Sequence, residues 1–114
     1  PIGKFQLVQE MLYKIASITE TSRLLSYHAF DLVVKGNPDA RKMSSLAKCY
    51  ACEGSVWTTY CAMQIHGAMG LSQELPLERY FRDARMMTIP DGTTEMQKLI
   101  VGYEILGKGF SACT

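Results

Sequence analysis

A dominant charge is the first thing this 114-residue chain lacks: 12 lysines and arginines face 11 aspartates and glutamates, a formal net charge of +1. No whole-molecule field therefore draws it toward nucleic acid or an anionic membrane. Long apolar runs are missing as well. Charge or glycine interrupts each stretch well short of bilayer length, so no membrane-spanning helix is expected. The six tyrosines and four phenylalanines have no basic stripe among them, which excludes the usual nucleic-acid platform. Pro1 to Gln6 does not have the basic-then-apolar layout of an export signal.

Histidine is also scarce. Two histidines cannot complete a zinc set with cysteines spaced as these are, so no metal is expected. Cys49 and Cys52 form a C-x-x-C, but no βαβ pattern surrounds them and no second pair follows. With Cys61 and Cys113 they read as reduced packing cysteines, which points to a reducing compartment. The remainder is ordinary: 47% hydrophobic and 20% charged residues predict one folded domain with one core.

What the chain does have is helical periodicity. From Lys4 to Lys35, Phe5, Val8, Leu12, Ile15 and Ile18 recur at three- or four-residue steps, with Leu7, Met11 and Leu25 on adjacent rows. Gly36-Asn-Pro-Asp39 ends that helix. A second is expected from Ala40 to Ile65, with Leu46, Cys49, Val56, Tyr60 and Met63 turned inward, until Gly67 and Gly70 break it. Leu71 to Leu75 reads as a loop, and Pro76 opens a short helix through Glu78, Arg79, Phe81 and Asp83. After a second loop, Met87 to Gly92, a last helix covers Thr93 to Leu106, with Met96, Leu99, Ile100, Tyr103 and Leu106 inward. Asp91 and Thr93 are both eligible caps, and Thr94 with Gln97 has the spacing of a capping box. No strand or internal repeat is evident. The expected fold is all-α: an up-down four-helix bundle with one short helix inserted.

Two runs go beyond what a plain bundle requires. The first is Gln64-Ile-His-Gly-Ala-Met-Gly70 followed by Pro76-Leu-Glu-Arg-Tyr-Phe-Arg-Asp83. The second is the acidic turn Ile89-Pro-Asp-Gly-Thr93 leading into Glu95-Met-Gln-Lys-Leu-Ile100. In order and spacing they resemble the acyl-CoA dehydrogenase family, and the opening Pro1-Ile-Gly-Lys-Phe-Gln6 is similar to that family's entry into its long helix. The resemblance covers nearly the whole chain. It implies that residues 1–114 are the C-terminal helical domain of such an enzyme, without the N-terminal helical and middle β domains. The isolated domain is then expected to be inactive.

The resemblance further implies FAD-dependent α,β-dehydrogenation of an acyl-CoA thioester. Asp91 stands at the position of the catalytic base, which the chemistry needs in a dry pocket. Pro90 and Gly92 would meet the substrate, Gly92 letting the thioester carbonyl rest against the backbone. Gln64, Ile65, His66, Gly67 and Ala68 match one flavin-contacting stretch, which in the family reaches the cofactor of a neighbouring subunit. Thr93, Thr94 and Glu95 match a second, where a helix start offers N–H groups to pyrophosphate or flavin oxygens, and Gln6 matches a third cofactor-side position. Arg79, Arg82 and Asp83 resemble an ion-pair framework behind the catalytic turn. An electron-transfer flavoprotein, a homo-oligomer (tetramer or dimer), and a bacterial cytoplasm or mitochondrial matrix are what the family implies for partners and location.

From the residues alone, plainer readings stay open beside these. Asp91 could simply cap a helix, Glu95 could favour the helix dipole, Gln6 could be solvated surface, and His66 reads better as a hydrogen-bonded residue than as a ligand. The sequence departs from the family in having aspartate for the usual glutamate at 91, alanine for glycine at 68, histidine for an apolar residue at 66, and Tyr103 for a frequent arginine. Two other functions fit the same fold: an oxidase or nitroalkane oxidase-like enzyme, and a helical oligomerisation module without catalysis.

Overall fold

The computed structural model describes residues 1–107 and 109; Cys113 lies outside the described residues. A 3-10 turn at Ile2–Lys4 leads into α1 (Gln6–Val34), followed by α2 (Ala40–His66), α3 (Ala68–Leu71), α4 (Leu77–Met86) and α5 (Thr94–Leu106). No strand occurs among the described residues, in keeping with the all-α expectation. The one-turn α3 was not anticipated, because Gly67 and Gly70 read as breakers. Gly67, at φ 57°, does end α2, but the chain coils once more before it extends at Ser72.

The α1–α2 corner shows why the sequence stops where it does. Gly36 takes φ 62°, its N–H donates to Val33 O, and Asn37 N–H donates to Leu32 O. This paired arrangement satisfies two otherwise orphaned carbonyls, and only glycine adopts that conformation without a steric penalty. Pro38 then forbids continuation, and Asn37 Oδ1 accepts from Asp39 N–H at 2.9 Å to start α2.

α2 is the spine. α1, α3, α4 and α5 all lie against it, and among the other described helices only α3 and α4 touch each other. A helix approached from several sides must let backbones come close, so its inner positions are small. Ser45, Ala47, Cys49 and Cys61 are its buried residues. Gly54 faces α1 so tightly that a Cβ there would stand 2.5 Å from Ile18 Cγ2. Two ion pairs brace α5, Arg41–Glu104 at 2.8 Å and Lys98–Glu53 at 2.5 Å. Both are exposed enough that each contributes at most about 1 kcal/mol.

The small-residue core corrects the expected one. Ile15, Ile18, Val56, Met63, Ile100 and Tyr103 are half-buried, but Phe5, Leu7, Leu12, Leu46, Tyr60, Met96, Leu99 and Leu106 are exposed. Further large side chains project from α1: Tyr13, Leu24, Tyr27, Phe30 and Val34 are 67–71% exposed. Periodicity located an apolar face on each helix but could not say which part of it meets α2. Cys49, Cys52 and Cys61 are unbridged, and burial pushes the Cys49 and Cys61 thiols up from their ordinary value. Among the described residues, no helix is long and apolar enough to cross a membrane.

The Pro90 to Gly92 turn as candidate functional site

The segment between α4 and α5 is built from both ends. Thr88, buried, donates its hydroxyl to Arg85 O at 2.8 Å, accepts from the Arg85 guanidinium, and receives Thr94 N–H on its carbonyl at 3.1 Å. Between these anchors the chain must reverse sharply. Asp91 takes φ 55°, alone among the described non-glycine residues in the left-handed region, and Gly92 follows at 86°. Aspartate is among the few residues that enter this region readily, because its short polar side chain is tolerated there. Gly92 has a second reason to be glycine, since a Cβ would lie 2.6 Å from Gln97 Nε2.

The carbonyls of this turn converge on two side chains, Lys48, which the sequence reading did not single out, and Gln97, which it gave a different role. Lys48 Nζ, from α2, donates to Pro90 O, to Asp91 O at 3.0 Å and to Gly92 O at 2.6 Å. Gln97 Nε2, from the buried side of α5, donates to Asp91 O at 3.3 Å and Gly92 O at 3.2 Å. Gln97 is therefore not half of a capping box with Thr94. The cap is Thr93, whose hydroxyl accepts Met96 N–H at 3.3 Å, and Asp91 stands outside the helix. The N–H groups of Asp91, Gly92 and Thr93 have no acceptor among the described residues. The Asp91 side chain is exposed, so this chain by itself does not enclose it in a dry pocket.

Glu95 decides what the α5 N-terminus can receive. Its carboxyl is held below the ordinary 4.5, first by its own backbone N–H and then by the Thr93 hydroxyl. The Thr94 N–H is taken by Thr88 O, and the Glu95 carboxylate lies beside the rest of the helix start. A depressed carboxyl stabilises the folded state in full above its ordinary value, and loses that contribution as pH falls through the folded value. Glu95→Gln should accordingly lower Tm at about pH 6, and the gap should narrow as the pH is taken down toward about 3. A Tm gap that is constant across this range would contradict that role.

The other predicted cofactor stretch lies elsewhere. Gln64 and Ile65 are in the last turn of α2, His66 ends it, Gly67 caps it and Ala68 opens α3. His66 Nδ1 sits 2.8 Å from Ala62 O, a carbonyl that can only accept, so the proton is on Nδ1. Gly70 packs on the Met63 backbone, where a Cβ would come within 2.5 Å of Met63 O. An apolar groove of about 390 Å³ opens here between Tyr60, Met63, Gln64, Gly67, Leu71 and Phe81. Gln6 lies toward the same end. Lys14 lies over Trp57 at 6.0 Å, and the two helices run onward from there to Gln6 and to His66. The turn touches α2 at Lys48, sixteen residues and so about 24 Å before Gln64. Within one chain, then, Thr93, Thr94 and Glu95 adjoin Asp91, whereas Gln6 and Gln64 to Ala68 do not.

The expected framework of Arg79, Arg82 and Asp83 is not what holds the turn. Arg82 pairs with Glu78 on the surface of α4 at 2.9 Å, and Arg79 lies over the Tyr80 ring at 5.6 Å. Lys48, Gln97 and the Arg85–Thr88 pair hold it instead. Tyr103 is covered by the Arg41 guanidinium at 5.8 Å. Among the described residues no three metal-ligating side chains cluster.

Comparison with known proteins places these features in a family. Residues 1–106 match the family model described as acyl-CoA dehydrogenase, C-terminal domain. The short-chain specific acyl-CoA dehydrogenase of Bos taurus mitochondria is 39% identical over 106 residues, 93% of this chain and 26% of that protein. A glutaryl-coenzyme A dehydrogenase in complex with glutaryl-CoA superposes with a TM-score of 0.86 at 34% identity, over 93% of this chain and 27% of that one. The FAD complex of PigA superposes at 0.88 with 29% identity, over 91% and 27%. The chain thus spans about a quarter of the length of the curated relatives it matches. The match over residues 1–106 shows that the chain belongs to the acyl-CoA dehydrogenase family, as its C-terminal helical domain.

Proposed function

We propose that the full-length protein oxidises an acyl-CoA thioester to its α,β-enoyl-CoA with FAD, and that Asp91 is the base. The observation that carries this is the turn itself. A carboxylate-bearing residue sits at φ 55°, with its backbone carbonyls tied down behind it and three N–H groups left free. Asp91 would take the proton from the carbon alpha to the thioester. Negative charge then moves to the thioester oxygen, where N–H groups of the turn stabilise it in a site closed to water. Gly92 and Pro90 would shape the backbone against which that carbonyl rests. FAD, when bound, would supply the acceptor for the hydride that leaves the beta carbon as the double bond forms.

The residues offered to FAD suit its parts unequally. The ionised Glu95 beside Thr93 and Thr94 suits the uncharged, hydrogen-bonding ring system rather than the diphosphate. The groove at Gln64 and Gly67, within the stretch Gln64, Ile65, His66, Gly67 and Ala68, has a mainly apolar lining and an open Gly67 backbone, with nothing within 4 Å of a Cβ there. That fits a flat aromatic group. Its separation from Asp91 supports a reading in which the two stretches serve different cofactor molecules of an oligomer. The exposed apolar faces of α1 support such assembly, as well as docking of the remaining domains. An electron-transfer flavoprotein is the acceptor in this reading.

The test is anaerobic mixing of full-length, FAD-loaded protein with a panel of acyl-CoAs. Bleaching of the flavin with stoichiometric enoyl-CoA is expected. If no thioester bleaches it, the reading fails. Rapid peroxide formation in air, instead of electron transfer to a carrier flavoprotein, would establish the oxidase-like alternative.

A further inference from the structure

We infer that Lys48 is the positioning residue of the catalytic turn, its ammonium holding three carbonyls so that the Asp91 N–H is turned away from it, toward the substrate's oxyanion. This rests on the reading of Asp91 as base. The argument begins with the peptide unit. In a trans peptide, C=O and N–H point in opposite directions, and no cis bond occurs among the described residues. Three successive carbonyls converge on one nitrogen, those of Pro90, Asp91 and Gly92. Their partner N–H groups, on Asp91, Gly92 and Thr93, must therefore face away from Lys48 on the opposite side of the turn. Because the carbonyls converge, those N–H groups fan outward, and the Asp91 N–H is the one that lies beside the carboxylate.

The cation does more than set direction. An ammonium has three donors and no acceptor, and here each donor has its own carbonyl. A charged donor polarises the peptide it binds and so strengthens the N–H at the far end. The charge is also unspent elsewhere. Lys42 and Lys98 pair with Asp39 and Glu53, whereas Lys48 makes no ion pair among the described residues. Its stem leaves α2 between buried Ser45 and Cys49, which fixes the head on a rigid element. Gln97 repeats the same contacts without charge, so it holds the shape while Lys48 supplies the field.

The experiment uses full-length, FAD-loaded protein carrying Lys48→Met, Lys48→Gln or Lys48→Arg, with Asp91→Asn alongside. Acetoacetyl-CoA, whose acidic alpha carbon allows it to bind as the enolate, probes the oxyanion; S-butyl-CoA, a thioether without a carbonyl, is the control. Lys48→Met and Lys48→Gln should reduce flavin about 10- to 100-fold more slowly and weaken acetoacetyl-CoA by a similar factor. S-butyl-CoA affinity and FAD content should stay within about threefold, and Lys48→Arg should recover part of the loss. Unchanged rates in the Lys48 variants while Asp91→Asn is inactive would overturn the role of Lys48 and leave the base intact. Equal weakening of both ligands with loss of FAD would reduce Lys48 to a structural residue, which also overturns it. An active Asp91→Asn would instead remove the reading on which the inference stands.

Discussion

Asp91→Asn in the full-length protein is expected to slow flavin reduction by acyl-CoA about a thousandfold, within the range that a positioned general base contributes. That corresponds to about 4 kcal/mol of transition-state stabilisation. The substitution is unusually clean at this site. Asparagine has nearly the same shape and enters the left-handed region at least as readily, so φ 55° and the contacts of Lys48 and Gln97 with the backbone carbonyls should survive. What is lost is the carboxylate alone. Asp91→Glu keeps it and adds about 1.5 Å of reach, at some cost in backbone strain, and should retain far more activity than Asp91→Asn. Stopped-flow bleaching of the flavin measures both. A rate within about threefold of wild type for Asp91→Asn would remove Asp91 from the chemistry.

Gly70→Ala should have the largest effect on stability. The added Cβ would meet Met63 O, Cα and C at 2.5, 2.8 and 3.0 Å, and backbone atoms cannot swing aside as a side chain can. α3 must lift from α2, at a net cost of about 1–3 kcal/mol even after alanine's better helix propensity is counted. Because Gly67 and Ala68 lie between the two contact points, the same shift should loosen flavin. Thermal unfolding and FAD release of the full-length protein should both move to lower temperature. A variant matching wild type in both would show that the α2–α3 contact is softer than its geometry implies.

The helices were legible because their ends are written in local chemistry. Gly36 with Pro38, Pro76 before α4 and Thr93 before α5 each act within a few residues. The core was not legible in the same way. A stripe of Leu12, Leu46, Tyr60 and Leu99 looks inward until one knows that α2 is approached so closely that Ala47, Gly54 and Cys61 must occupy the contacts. Among the site residues, the turn was readable from its Asp-Gly pair, but Lys48 was not, since it acts on residues 42 to 44 positions away. One signal was available. A lysine set among Ser45, Ala47 and Cys49 on a buried face needs polar partners, and a sharp turn with free carbonyls can supply them. The left-handed conformation of Asp91 also gives a backbone reason for aspartate that reach alone did not suggest.

The single helix α2 carries the lysine that grips the turn and, about 24 Å along the same rod, the Gln64 to Ala68 terminus. An α-helix advances about 100° per residue, so one residue inserted or deleted between these points would swing one end off its partner while the other stayed in place. Side chains along this stretch are free to drift within the limits of packing, but its length is not. Evolution can repaint this helix, yet it can neither lengthen nor shorten it between Lys48 and Gln64 without uncoupling the two places it serves.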